Sequence, residues 1–170
     1  LKLDRIRGKA LIYGDHVNTD VIFPGKYTYT VKDPSEMASH AMEDLDPNFP
    51  SRAREGAVLL VGKNFGCGSS REQAVLCLKE AGVRAILARS FARIYYRNAI
   101  NLGLPAIKLD WPEDFALEGD EISIDLEMGV AENLSRGGFL SFPPFPAHLR
   151  EILEAGGLVP YTRRKVVGRT

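Results

Sequence analysis

Seven consecutive residues, Gly66-Cys67-Gly68-Ser69-Ser70-Arg71-Glu72, concentrate groups able to do chemistry. Two hydroxyls stand beside a guanidinium, and the glycines let the backbone come close to a ligand. A guanidinium grips a carboxylate through two parallel hydrogen bonds. The segment follows an apolar run and opens a helical pattern predicted over residues 69–79. A helix start adds unpaired N–H groups and the positive end of a dipole. Together these make an anion site, and a carboxylate suits it best. A Walker loop is excluded, because it needs Gly-Lys-Ser/Thr and Gly68 is followed by Ser69-Ser70. A dinucleotide fingerprint would need Gly where Arg71 stands. Ser69-x-x-Glu72 also matches a capping box, in which the hydroxyl only closes a helix end. Two Gly, two Ser and Arg packed together after a buried strand favour the functional reading.

The elements that position this segment follow from the apolar pattern. Residues 57–61, 85–88 and 106–109 are apolar runs of the kind buried parallel strands show, and residues 9–13 read as a short strand before them. Residues 91–102 have helical periodicity, stopped by Gly103-Leu104-Pro105. Strand, loop, helix, strand, helix, strand implies an α/β fold with a parallel-sheet core and right-handed crossovers. Residues 14–30 read as a loop broken by Val21-Ile22-Phe23. Asp33-Pro34-Ser35-Glu36 is a helix start, with the helix predicted to reach about Asp44. After Pro112 the pattern alternates: residues 121–126 read as a half-exposed strand, paired with residues 139–142. Pro143-Pro144-Phe145-Pro146 is a stiff connector, and residues 148–155 form a last helix closed by Gly156-Gly157. Arg163-Arg164-Lys165 reads as a solvated basic terminus.

The chain has 170 residues, 45% of them hydrophobic, which predicts one domain spanning residues 1–170. Its 22 Lys+Arg balance 22 Asp+Glu, so nothing points to nucleic acid, and the near-neutral charge mildly favours an assembled protein. No apolar run approaches the roughly 20 residues a membrane helix needs. Leu1-Lys2-Leu3-Asp4-Arg5 lacks the apolar centre of a signal peptide, so the expectation is a cytoplasmic protein without a membrane partner. Cys67 and Cys77 are too few for a disulfide framework. They are also too few for an Fe–S cluster, which takes about four thiolates. Any cluster that the activity needs is expected on another chain.

Three blocks carry a resemblance. Lys63-Asn64-Phe65-Gly66-Cys67-Gly68-Ser69-Ser70-Arg71-Glu72 resembles the signature of the mobile domain of the aconitase superfamily. Ser90-Phe91-Ala92-Arg93-Ile94, followed by Asn98, resembles its second block, and Gly14-Asp15-His16-Val17-Asn18-Thr19-Asp20 its first. Order and spacing agree, and the resemblance covers about residues 8–160. It implies a swivelling β/β/α domain acting as a separate small subunit. Its partner would be a large subunit carrying a [4Fe–4S] cluster, with no cofactor on this chain. The superfamily dehydrates a hydroxy-acid and rehydrates it with the hydroxyl on the neighbouring carbon. An iron acts as Lewis acid on the leaving hydroxyl, while a base takes a proton from carbon beside a carboxylate.

Carried onto this sequence, the resemblance makes Ser69 the base, as an alkoxide stabilised by helix N–H groups and nearby cations. It makes Arg71 the substrate-carboxylate arginine and Ser70 a substrate contact. Asp20 matches an active-site aspartate that orients an arginine or an incoming group; in Asn18-Thr19-Asp20 it equally suits a turn. His16 is expected to be a loop histidine, Lys63 and Asn64 to shape the loop, Cys67 to be a small filler, and Arg93 to brace Glu72 or a helix end, with a direct contact to substrate as the weaker alternative.

In the family, the segment after this aspartate reads the part of the substrate that varies. Here it is Lys26-Tyr27-Thr28-Tyr29-Thr30. Homoaconitase-like relatives place Arg two residues after the Tyr, where this chain has Tyr29. An aromatic without a cation fits an apolar isopropyl group better than a carboxylate. Thr28 departs from the Leu common after the Tyr in isopropyl-binding members. Such a loop is expected to be mobile without the large subunit, with residues 27–30 the moving part; the alternative is that its tyrosines only pack. Three functions follow: a hydro-lyase small subunit for an isopropyl hydroxy-acid, one for homoaconitate or dimethylmalate, and a non-catalytic anion-binding module that kept the fold.

Overall fold

The computed structural model describes residues 5–168, and among them seven strands form one sheet. In chain order they are β1 (Ile6–Ile12), β2 (Ala57–Val61), β3 (Val83–Ala88), β4 (Ala106–Lys108), β5 (Glu121–Asp125), β6 (Val130–Asn133) and β7 (Phe139–Ser141). The helices are α1 (Thr19–Ile22), α2 (Pro34–Ser39), α3 (Phe49–Ala53), α4 (Gln73–Ala81), α5 (Arg93–Asn101), α6 (Ala147–Glu154) and α7 (Leu158–Val167). The sheet order is β4-β3-β2-β1-β5-β6-β7. The α/β fold with a parallel core is therefore as predicted: β1 to β4 are parallel, and β5 to β7 extend the sheet antiparallel.

β2 is apolar at every position because it is covered on both faces; all five residues are fully buried. It lies between β1, with Lys9 opposite Ala57, and β3, with Val61 opposite Ala88. In β1 residues 6–9 alternate buried and exposed, and this stretch is the one paired with β5. α4 buries Ala74, Val75, Cys77, Leu78 and Ala81, and α5 buries Tyr95, Ala99 and Ile100. The two helices join β2 to β3 and β3 to β4, so the loops that enter them leave the carboxyl ends of parallel strands. That edge is where open α/β sheets bind ligands.

Several boundaries differ from the sequence reading. α4 begins at Gln73, not at Ser69, and Glu72 at its N-cap makes no side-chain cap hydrogen bond. The capping-box interpretation of Ser69 is thereby removed. α2 opens on Asp33 as predicted, its carboxylate accepting from the Glu36 N–H, but ends at Ser39. The chain then turns, with Met42 at φ 59° donating to the Ile22 carbonyl. β7 pairs with β6, not with β5. β6 escaped notice because it is only four residues long and ends in a fully buried Asn133. The Asn133 amide donates to the Phe115 carbonyl and to Asp120, and its oxygen accepts from the Ser135 and Arg136 N–H groups. Arg163, Arg164 and Lys165 are exposed as expected, but a further helix, α7, follows the one predicted to be last and carries them.

Gly82 ends α4 at φ 117°, its N–H donating to the Leu78 and Lys79 carbonyls. A Cβ there would stand 2.1 Å from the Ala53 carbonyl oxygen. Gly82→Ala should cost about 2 kcal/mol or more, combining a disfavoured backbone with overpacking. Denaturant unfolding of parent and variant checks this; equal midpoints would contradict it.

Candidate active site

Three loops meet at the carboxyl edge of the sheet, and backbone hydrogen bonds lock them together. The Gly66 N–H donates to the Val17 carbonyl at 2.8 Å, and the Thr19 N–H donates to the Cys67 carbonyl at 2.8 Å. The Thr19 hydroxyl donates to the Ser69 carbonyl at 2.8 Å. The Phe65 N–H donates to Ser90, and the Ala92 N–H donates back to Phe65. Asn64 donates its N–H to the Ser90 hydroxyl, and Lys63 donates its own to Asp15. The backbone is left-handed at His16, Asn64, Gly66 and Gly68. His16 and Asn64 are among the few side chains that adopt it readily. At Gly66, φ 81°, a Cβ would lie 2.1 Å from Cγ of buried Tyr95, so the loop lies directly on that ring.

Arg71 is the tie between these loops and the segment after Asp20. Its Nη1 donates to the Thr28 hydroxyl at 2.9 Å. Its Nη2 donates to the Phe23 carbonyl at 2.7 Å and the Thr19 carbonyl at 3.1 Å. Three of the five guanidinium N–H groups are thus engaged within the chain. Asp20 stands 4.0 Å from Nη2 while accepting the Gly25 N–H at 2.7 Å. Its side chain is 74% exposed against 15% for Arg71. Asp20 therefore braces the turn at Gly25 and faces the arginine.

A pocket of about 290 Å³ opens beside Arg71, lined also by Ser70, Arg93, Asn98 and Ile94. No acidic side chain lines it. Ser69 is exposed and sits between Gly68 and Ser70, which both line the pocket. The helix N-terminus at this pocket belongs to α5, not α4: Ala92 is its N-cap without a side-chain cap bond, and Arg93, Ile94 and Tyr95 line the wall. The positive end of a helix dipole that borders this pocket is therefore that of α5. The bracing of Glu72 by Arg93 is not formed; Arg93 is exposed and makes no hydrogen bond or ion pair among the described residues. Arg93 lies in the Ser90–Ile94 block, and its place in the first turn of α5 puts it on the pocket wall.

The selecting segment is more firmly held than its composition suggests. Residues 25–27 form a 3₁₀ turn, and the half-buried Tyr27 ring stacks on His40 with centroids 3.9 Å apart. The Tyr27 hydroxyl donates to Glu43 at 2.8 Å. Gln73, which the sequence did not single out, donates its amide to the Thr28 carbonyl at 3.0 Å. Tyr27 packs and does not line the pocket, and Thr28 is bound by Arg71. Thr30 is exposed, and Tyr29 projects with 87% of its surface free. Within residues 27–30, Tyr27 and Thr28 thus have partners in the fold, and Tyr29 and Thr30 face outward.

The family model of the aconitase C-terminal domain matches residues 15–112. The chain belongs to that family. Within it, a 3-isopropylmalate dehydratase small subunit of Caldanaerobacter subterraneus is 48% identical over 161 residues, covering 95% of this chain and 99% of that protein. A 3-isopropylmalate dehydratase small subunit of Methanopyrus kandleri is 50% identical and covers 95% of both chains. The crystal structure of 3-isopropylmalate dehydratase from Methanocaldococcus jannaschii aligns with a TM-score of 0.88 at 44% identity, covering 97% of each chain.

Glu43 anchors the selecting segment through Tyr27, through His40 at 2.7 Å and through Lys26 at 3.7 Å. Burial opposes its ionisation, but the hydrogen bonds from His40 and Tyr27 outweigh it and hold the carboxyl below the usual 4.5. A depressed carboxyl pKa stabilises the fold above the unfolded-state value and loses that contribution as pH falls through the folded-state value. Glu43→Gln should therefore melt below the parent at about pH 7, with the gap closing as pH drops beneath about 4.5. Thermal melts across that range check this; a gap independent of pH would contradict it.

Proposed function

We propose that this chain is the small subunit of a 3-isopropylmalate dehydratase. The enzyme is a hydro-lyase that interconverts 2-isopropylmalate and 3-isopropylmalate by dehydration and rehydration in leucine biosynthesis. The observation that carries the reading is full-length similarity to such small subunits in a chain whose Ser-Ser-Arg loop borders an open, acid-free pocket. In this reading residues 1–170 act as one swivel-type domain, and the partner is the large subunit. The balanced charge suits a cytoplasmic enzyme that binds no nucleic acid. No helix among the described residues is long and apolar enough to cross a membrane, and no membrane partner is assigned.

The [4Fe–4S] cluster of this enzyme class does not fit the residues of this chain. Among the described residues no three His, Cys, Asp or Glu side chains converge on a metal position. Cys77 is buried, and burial pushes its thiol pKa well up, away from the thiolate a cluster needs. In this reading the cluster and its chemistry belong to the large subunit.

What this chain supplies is a base and a carboxylate hold. Ser69 takes the proton from the carbon beside a substrate carboxylate; its exposed hydroxyl has no partner among the described residues. Arg71 offers its two remaining N–H groups to that carboxylate, and Ser70 adds a hydroxyl from the pocket wall. Asp20 fixes Gly25 and faces Arg71, which sets the start of the selecting segment. Tyr29 and Thr30 read the variable substituent, while Tyr27 and Thr28 hold them in place.

Ser69→Ala, assembled with the large subunit, should keep the parent's melting temperature, because Ser69 caps no helix. Its kcat should fall about 10²- to 10⁴-fold. Steady-state kinetics and thermal melts on the same preparations check this, and parental turnover would remove the serine from the mechanism. Tyr29→Arg should shift the kcat/KM ratio toward homoaconitate over isopropylmalate, because the cation finds a partner only in the substrate with an additional carboxylate. An unchanged ratio would show that the segment does not select.

A further inference from the structure

We infer that Arg93 holds one of the two carboxylates of the substrate, an assignment that rests on the dehydratase reading above. Isopropylmalate is a dicarboxylate, and Arg71 alone is poorly placed to hold both ends. Three of its five N–H groups are engaged with Thr28, Thr19 and Phe23, and the guanidinium is largely buried. Arg93 is the second cation of the same 290 Å³ pocket. Its guanidinium has no acceptor among the described residues, and no acidic side chain lines the pocket to neutralise it. Half-buried Asn98, on the same helix, also lines the pocket with its amide unpaired. The pocket therefore gathers two arginines, a serine hydroxyl and an amide; Arg71 has Asp20 at 4.0 Å, whereas Arg93 has no counter-ion among the described residues. A dicarboxylate satisfies that set, and a neutral or cationic ligand does not. A structural role predicts an acceptor within the fold, as Arg52 finds in Asp46 and Arg136 finds in Asp120; Arg93 has none.

The test uses the assembled two-subunit enzyme, with 2-isopropylsuccinate and its two half-amides as competitive inhibitors. Isopropylsuccinate lacks the leaving hydroxyl, so it reports binding without turnover. In the parent, converting either carboxylate to an amide should weaken inhibition. In Arg93→Gln, inhibition by isopropylsuccinate should weaken about 10- to 100-fold, the usual worth of a charged hydrogen bond. One of the two half-amide penalties should also vanish, because that carboxylate has already lost its partner. Arg93→Lys keeps the charge without the planar fork and should fall between the two. Persistence of both amide penalties in Arg93→Gln would overturn the assignment. Weakened subunit assembly with unchanged inhibition of the assembled enzyme would overturn it as well, making Arg93 a docking residue. A parent complex that does not turn over isopropylmalate would remove the dehydratase reading, and this inference with it.

Discussion

Arg71 donates to the Thr28 hydroxyl, the Thr19 carbonyl and the Phe23 carbonyl, and its own backbone follows directly on Ser69-Ser70. Much of the site's geometry depends on that guanidinium. It ties the Ser69-Ser70 loop to α1 and to the segment that follows Asp20. A lysine has one nitrogen and no planar fork, so it does not make all three bonds in the same geometry. The engagement also explains why α4 starts late. Residues 69–71 stay outside the helix as Arg71 reaches α1 and Thr28, Glu72 already has helical backbone angles at the N-cap, and α4 begins at Gln73. Gln73 then adds a second hold on the Thr28 carbonyl.

The remaining constraints make the loops rigid enough to keep the pocket open. Gly66 lies flat on the Tyr95 ring, whose hydroxyl donates to the Ala74 carbonyl in the first turn of α4. The serine loop, α4 and α5 thereby share one buried tyrosine. Glu43 gathers Tyr27, His40 and Lys26 on the far side of the selecting segment. Among the described residues, the side chains of Ser69, Ser70, Arg93, Asn98 and Tyr29 have no hydrogen-bond partner. These groups border or adjoin an open face, which suits a site that a second polypeptide completes.

Much of this was visible in the sequence. The buried strands β2 and β3 announced themselves as apolar runs, and the three polar blocks that follow β1, β2 and β3 marked the carboxyl edge where the site forms. The C-terminal half was less legible. β6 is short and ends in Asn133, whose side chain donates two hydrogen bonds to distant residues and accepts two from the turn that follows. α7 has no buried face to give it a core-facing stripe. In the site itself, local pattern suggested a capping box at Ser69, and tertiary hydrogen bonds to Arg71 override it. The contacts of Tyr27 with His40 and Glu43 come from across a turn that no local pattern reveals.

The central claim is that one guanidinium couples the serine loop to the selecting segment. A double-mutant cycle with Arg71→Leu and Thr28→Val, followed by denaturant unfolding of the chain, measures that coupling directly. The two single losses should exceed the double loss by about 1 kcal/mol or more, because each removes the same bond. Additivity to within about 0.5 kcal/mol would mean that the two segments are positioned independently, and would contradict the account.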